Sequence, residues 1–259
     1  MRVFSLLELI AGKDEFVSLQ GLVAETGLPK PTLHRMLQQL EGADLLVRQS
    51  DGRHYGSGRR LRNLAEKILL NATQYGAAHA ALRHLVAVTG ESCNLTTLSG
   101  DEIIYLDRIE THEPLRFYLR SGSRVPAHAS ASGKMILSQL TPGQRRKLLA
   151  NSPLRACTAG TITDVGRLEE ELRLTAERGW AVDNEEFLPG LVCAAMLIPT
   201  PTGRSNRCVA IQAPVMRVPV ERLEEFIPSL RRTVEAIAQV ERDGVSTEGA
   251  GSRLEDGAV

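Results

Sequence analysis

The stretch Lys30-Pro-Thr-Leu-His-Arg-Met-Leu-Gln-Gln-Leu40 puts two kinds of side chain on two helical faces. Leu33, Met36, Leu37 and Leu40 recur at the spacing of one buried stripe. Lys30, Thr32, His34, Arg35, Gln38 and Gln39 occupy another face. Cations, amides and a hydroxyl along one helix suit phosphate oxygens and base edges in a major groove. Arg35 fits a bidentate bond to guanine, and Gln38 or Gln39 the matching bond to adenine. Lys30, Pro31 and Thr32 open the helix, where Lys30 and Thr32 can hold phosphates. His34 is either a groove contact or an ordinary surface residue. The plain alternative for the whole face is the solvated side of a small helical bundle.

Two later stretches also carry chemistry. Pro126-Ala-His-Ala-Ser-Ala-Ser-Gly-Lys134 is a small-residue loop that ends at a helix start. Free N–H groups there suit a carboxylate or phosphate, unless the loop simply packs tightly. It matches neither a nucleotide-binding glycine loop nor a nucleophile elbow, and Lys134 alone makes no catalytic dyad. Asp183-Asn-Glu-Glu-Phe-Leu-Pro-Gly-Leu-Val-Cys193 brings three acids and a cysteine close together. No histidine adjoins them, so a metal is poorly supported. Asp183 with Cys193 or Ser132 as nucleophile is the enzyme alternative, but no nearby base completes it. Glu185 reads as a polar loop rim, and Cys193 as a small core residue. No catalytic residue, metal ligand or cofactor is assigned.

These residues need elements to hold them. Val3–Ile10, with Phe4, Leu7 and Ile10 at helical spacing, predicts a first helix ended by Gly12. Ser18 caps a second helix from Leu19 to Thr26, and Gly27 supplies its left-handed end. A third helix follows Pro29 and ends near Gly42, with Pro31 in its first turn. Leu45–Val47 and Arg53–Gly56 predict a hairpin around Ser50-Asp51-Gly52. Arg48 and Arg53 flank that turn, where they can reach DNA backbone or minor groove. The result is a winged helix-turn-helix over residues 1–57. Residues 58–76 form a connecting helix with Leu61, Leu64, Ala65, Ile68 and Leu69 on one face and Arg59, Arg60 and Arg62 at its start.

Beyond it, 77–242 alternates helices with strands. Helices are predicted over 77–88, 133–140, after Thr141-Pro142, over 168–178 and over 219–240. Strands are predicted over 92–98, 102–109, 115–119, 180–182, 193–198 and 208–213. This is an α+β, antiparallel-sheet domain. The tail 243–259, rich in Gly, Ser and charge, reads as disordered.

With 259 residues there is room for two cores. Formal net charge is zero, so DNA affinity must come from a local basic surface. No apolar run approaches the ~20 residues that span a bilayer, and the first helix leaves no room for a signal peptide. The four cysteines form no close pair, which favours a reducing cytoplasm.

Together, the segment Leu28–Leu40, Gly100-Asp-Glu-Ile-Ile-Tyr-Leu-Asp-Arg108, the loop His128–Lys134 and the stretch Asp183–Cys193 resemble the IclR family of bacterial transcriptional regulators. The resemblance spans nearly all of the chain except the tail. It implies an N-terminal winged helix-turn-helix, a linker helix and a GAF-like effector domain. It also implies a homodimer or homotetramer that binds double-stranded operator DNA and changes state with a small-molecule effector. The family's pocket positions fall on Ala131, Ser132, Asp183 and Cys193, with Pro114 and Phe117 as apolar wall. Two positions that often carry Ser are Ala210 and Gln212 here. That difference weighs against a small keto acid such as glyoxylate or pyruvate and leaves an aromatic or sugar-derived acid open. The chain also begins at its first helix, so the arm that often precedes it is short or missing. The alternatives to a ligand-responsive regulator are an enzyme and a ligand-free interaction module, each carrying the same winged domain.

Overall fold

The computed structural model describes residues 2–13, 15–73, 76–150, 153–201 and 203–251. The chain forms two compact units, Met1–Asn71 and Ala72–Val259.

The first unit holds α1 (Arg2–Ala11), β1 (Val17–Ser18), α2 (Leu19–Thr26), α3 (Lys30–Gly42), β2 (Leu46–Arg48), β3 (His54–Ser57) and the start of α4 (Arg59–Thr73). Local chemistry sets its joints. Ser18 caps α2 by accepting from the Gly21 N–H at 3.1 Å. Gly27 closes α2 at φ 65°, a left-handed backbone that only glycine adopts without strain. Pro31 sits in the first turn of α3, where its missing N–H has no intrahelical role. Leu6, Ile10, Leu22, Leu33, Leu37, Leu46 and Tyr55 make one core. Phe4, expected on the inward stripe of the first helix, is exposed instead. The helix turns Leu6 and Ile10 inward, four residues apart. The hairpin gains a third strand, because β1 pairs with β3.

The second unit is a six-stranded antiparallel sheet ordered β6-β5-β4-β9-β8-β7. Its strands are β4 (Ser92–Ser99), β5 (Glu102–Ile109), β6 (Arg124–Pro126), β7 (Ala181–Asn184), β8 (Leu191–Leu197) and β9 (Arg207–Pro214). Two helices, α5 (Ala77–Thr89) and α9 (Ile227–Gly251), pack on one face. The other face carries α6 (Ala131–Ser138), which packs in turn against α8 (Val165–Arg178). A short α7 (Pro142–Leu149) lies between them in the chain, with Thr141 and Gln144 forming its capping box.

Three expectations are corrected here. Residues 115–119 are not a strand; the sheet edge is β6, which pairs with Glu102–Ile104. Side-chain donors hold the earlier segment: Arg217 Nη1 donates to the Leu115 carbonyl, and Arg108 Nη2 to the Phe117 carbonyl. The closing helix does not start at Pro219. Residues Val220–Phe226 form a 3-10 turn, and α9 follows. Pro228 explains the break, since its ring cannot continue a preceding α-turn. Finally, α9 runs to Gly251, through residues expected to be disordered from 243 onward. Extending a helix that is already nucleated adds one hydrogen bond per residue fixed, so glycines slow propagation without forbidding it. Residues 252–259 of that expected tail lie outside the described residues.

Candidate functional site

Two surfaces gather polar side chains. The first is the outer face of α3. Leu33, Met36, Leu37 and Leu40 are buried, and Lys30, Pro31, His34, Arg35, Gln38 and Gln39 are exposed, with Thr32 half-buried. Arg53 is exposed at the tip of the β2–β3 hairpin. The turn itself is braced by Asp51, whose carboxylate accepts from the Arg53 and His54 N–H groups.

Arg48 differs from expectation. It donates to Glu41 at 2.8 Å, and its guanidinium lies 5.1 Å from the Tyr55 ring centroid. It ties the hairpin to α3 instead of pointing outward. The linker arginines are likewise engaged within the unit. Arg59 meets Asp44 at 3.3 Å, and Arg62 donates to the Ser57 carbonyl at 2.6 Å.

The second surface is the α6 side of the sheet. Strand register places Asp183, Cys193, Gln212 and Ser92 opposite one another in a single row. The neighbouring row on the same face holds Ala181, Ala195, Ala210, Asn94 and Arg108. A bulge then breaks the alternation. Leu95 faces Asp107 but Thr96 faces Tyr105, so β5 carries one extra residue. Arg108 and Tyr105, three apart in sequence, thereby share one face.

The N-terminus of α6 covers these rows. Ser130 caps it by accepting from the Gly133 N–H at 3.2 Å. Its first two N–H groups, on Ala131 and Ser132, have no intrahelical acceptor. Gly133 lets the helix press against the preceding turn, for a Cβ there would lie 2.0 Å from the Ala127 oxygen. Thr96 Oγ1 donates to Ser132 Oγ at 2.9 Å and pins the loop to the sheet.

Between helix and sheet lies a cleft lined by Ala131, Ser132, Asp183, Cys193, Ala210 and Gln212, together with Tyr105 and Phe187. Its interior is ≈ 10 Å³, room for about one water. Six of the sequence-assigned pocket residues therefore meet in one place. Phe117 is half-buried and lines a smaller adjoining cavity with Arg108 and Gln212. Pro114 is exposed and lines neither, because its segment runs along the outside as a loop.

Burial dominates the electrostatics. The Asp183 carboxyl is pushed up to about 7 by desolvation, with Glu186 adding to the rise, although it accepts from the Glu186 N–H at 2.8 Å. The Cys193 thiol is driven well above its ordinary value by burial and by Asp183. The buried Lys134 ammonium pairs with Glu186 and stands 3.7 Å from Glu171, which also accepts from Arg178. Glu186 is raised by burial, against the pull of Lys134.

A protonated thiol is a poor nucleophile, and no histidine lines the cleft. His128 turns aside and bonds the Arg155 carbonyl at 3.0 Å. Among the described residues no three His, Cys, Asp or Glu side chains stand together as a metal site. Sequence reasoning missed Arg108, Asn94 and Tyr105 here, since only the bulge and the strand register bring them to this face.

Comparison with known proteins finds a family match for each of the two units. Residues 1–50 match the IclR helix-turn-helix domain, and residues 69–239 match the bacterial transcriptional regulator IclR C-terminal domain. The chain is 44% identical over 233 residues to the probable transcriptional regulator SauR of Cupriavidus necator, covering 89% of this chain and 92% of that one. It is 31% identical over 227 residues to the transcriptional repressor IclR of Escherichia coli, covering 87% and 83%. The crystal structure of the Thermotoga maritima IclR superposes with a TM-score of 0.61 at 27% identity, over 92% of this chain and 96% of that one.

Proposed function

The chain belongs to the IclR family of bacterial transcriptional regulators, and from that premise we propose how its two surfaces divide the work. It is a DNA-binding regulator and not an enzyme. In our reading α3 enters the major groove of operator DNA. Arg35 reads guanine and Gln38 adenine, Lys30 and Thr32 hold phosphates with Pro31 and His34 beside them, and Arg53 reaches the flanking backbone. One observation carries this reading: α3 buries every apolar residue of its stripe while leaving its cations and amides exposed.

The protein acts as a symmetric homo-oligomer in the cytoplasm, so its operator is an inverted repeat. Leu64 and Ile68, half-exposed on α4, support self-association. The effector is a small organic acid or aromatic metabolite held among Ala131, Ser132, Asp183, Cys193, Ala210 and Gln212. Since the interior is ≈ 10 Å³, binding must open the cleft. Coupling to DNA follows only if the ligand favours one arrangement of the protein over another.

Selection of bound sequences from a random duplex pool, using the full chain, tests the proposal. Wild type enriches an inverted repeat, and Arg35→Ala does not. Equal enrichment of the same repeat by both proteins would remove α3 as the reader.

A further inference from the structure

The Arg108 side chain is 3% exposed, and every hydrogen bond it makes ends on a neutral oxygen. Its Nη1 donates to Asn94 Oδ1 at 2.7 Å and to Gln212 Oε1, and its Nη2 to the Phe117 carbonyl at 2.8 Å. Its Nε–H has no hydrogen-bond partner and forms only a long ion pair, 3.8 Å, with the half-buried Glu110 carboxylate. Beside it the fully buried Asn94 Nδ2 also lacks an acceptor. Flipping that amide does not help, because it would turn an N–H toward the guanidinium. This corner of the sheet therefore holds a buried guanidinium whose ion pair to Glu110 is long, at 3.8 Å, and two buried donors without hydrogen-bond acceptors. Such groups are costly to leave unmet, and an acceptor carrying negative charge at Nη1 would compensate the guanidinium better than a neutral amide oxygen does.

Gln212 connects the corner to the cleft, since it lines both cavities. Its Oε1 accepts from Arg108 while its Nε2 donates to the Tyr105 hydroxyl at 2.7 Å. The amide oxygen thus occupies the position an oxoanion would take on the guanidinium. We propose that Arg108, with Asn94, is the anion-recognising corner of the effector cleft, and that an oxoanion on the ligand displaces the Gln212 amide to reach it. This rests on the reading of the cleft as the effector site. It adds that the ligand is an anion, with its charged end on β5 and its other end toward Ala131 and Ser132. Arg108 then selects for charge, and the residues under α6 select for shape. A planar guanidinium favours a carboxylate, whose two oxygens match its fork, although a sulfonate offers the same acceptors.

The experiment uses the full chain and small probes at matched ionic strength. Acetate, propionate, benzoate and methanesulfonate are compared with acetamide, propionamide and benzamide by thermal shift and calorimetry. At least one anion binds wild type, while its neutral amide binds at least about tenfold less tightly. Arg108→Met loses that binding by about 100-fold, and Arg108→Lys, which keeps the charge without the fork, retains an intermediate affinity. If Arg108→Met unfolds, the Arg108→Lys result and the anion-to-amide ratio of wild type decide alone. Equal binding of anion and amide, unchanged affinity in Arg108→Lys, or no response to any anion would overturn the proposal. Ala210→Trp fills the cleft and separates the two claims. If anion binding depends on Arg108 but survives Ala210→Trp, the cleft reading fails and the corner stands. If ligand binding is lost in Ala210→Trp but indifferent to Arg108, the cleft stands and the corner fails.

Discussion

The polar face of α3 and the polar rows under α6 are built on opposite terms. On α3 the cations and amides stand in water, and the apolar side of the same helix does the anchoring. Under α6 nearly every polar group is buried, and most are tied to neighbouring side chains, as Lys134 is to Glu186 and Thr96 to Ser132. An exposed cation costs nothing to keep and gains its partner only on binding. A buried one must already be compensated, so its removal disturbs the fold itself. Changes on α3 should therefore alter DNA binding while sparing stability, and changes around the cleft should cost stability.

The sharpest break of that contrast is Lys134→Met. It leaves the buried Glu186 without its cation, while Glu171 keeps Arg178, and the loss should be about 3–5 kcal/mol. Urea unfolding followed by circular dichroism measures it, and adding Glu186→Gln restores part of the loss. A neutral single variant would mean the pair is not a structural unit.

The pH dependence comes next. Asp183 is held near 7 in the fold against 3.8 in the unfolded chain, so the folded state keeps its proton longer. Stability should fall as pH rises from about 4 to about 7, then level off, by at most about 4 kcal/mol. Asp183→Asn flattens that slope, gaining most relative to wild type at pH 8. Identical slopes for the two proteins, from urea midpoints at pH 5 and 8, would show that Asp183 is not the titrating group.

A smaller effect is expected at Gly133. Gly133→Ala places a methyl against the Ala127 backbone, and about 1–3 kcal/mol should be lost as α6 shifts outward. Its thermal midpoint checks this, and binding of an operator duplex to the folded variant should remain as in wild type. A midpoint equal to that of wild type would mean the loop relaxes freely.

The same contrast explains what the sequence revealed. Helical periodicity, Ser18, Gly27 and Pro31 are local signals, and local signals decide where α2 and α3 begin and end. Which face of α3 is wet follows from its pattern alone. The cleft depends on strands far apart in the chain. Cys193 and Asp183 were recognisable because the family stretch contains both, but Arg108 joins them only through register and an extra residue in β5. Simple alternation would set Tyr105 and Arg108 on opposite faces. Pro114 misled for the mirror reason. It is close in sequence to Phe117, yet a loop held by arginine donors carries it outward. Arg48 shows the limit of composition, since an arginine beside a turn reads as available until Glu41 and Tyr55 are seen to hold it.

In the proposed function α3 presents Arg35 to DNA as a side chain the fold does not need. Fluorescence anisotropy of a labelled operator duplex, titrated with wild type and Arg35→Ala across salt concentrations, tests it most directly. Arg35→Ala should bind about 10- to 100-fold more weakly, with its thermal midpoint unchanged. Wild-type affinity at every salt concentration would contradict it.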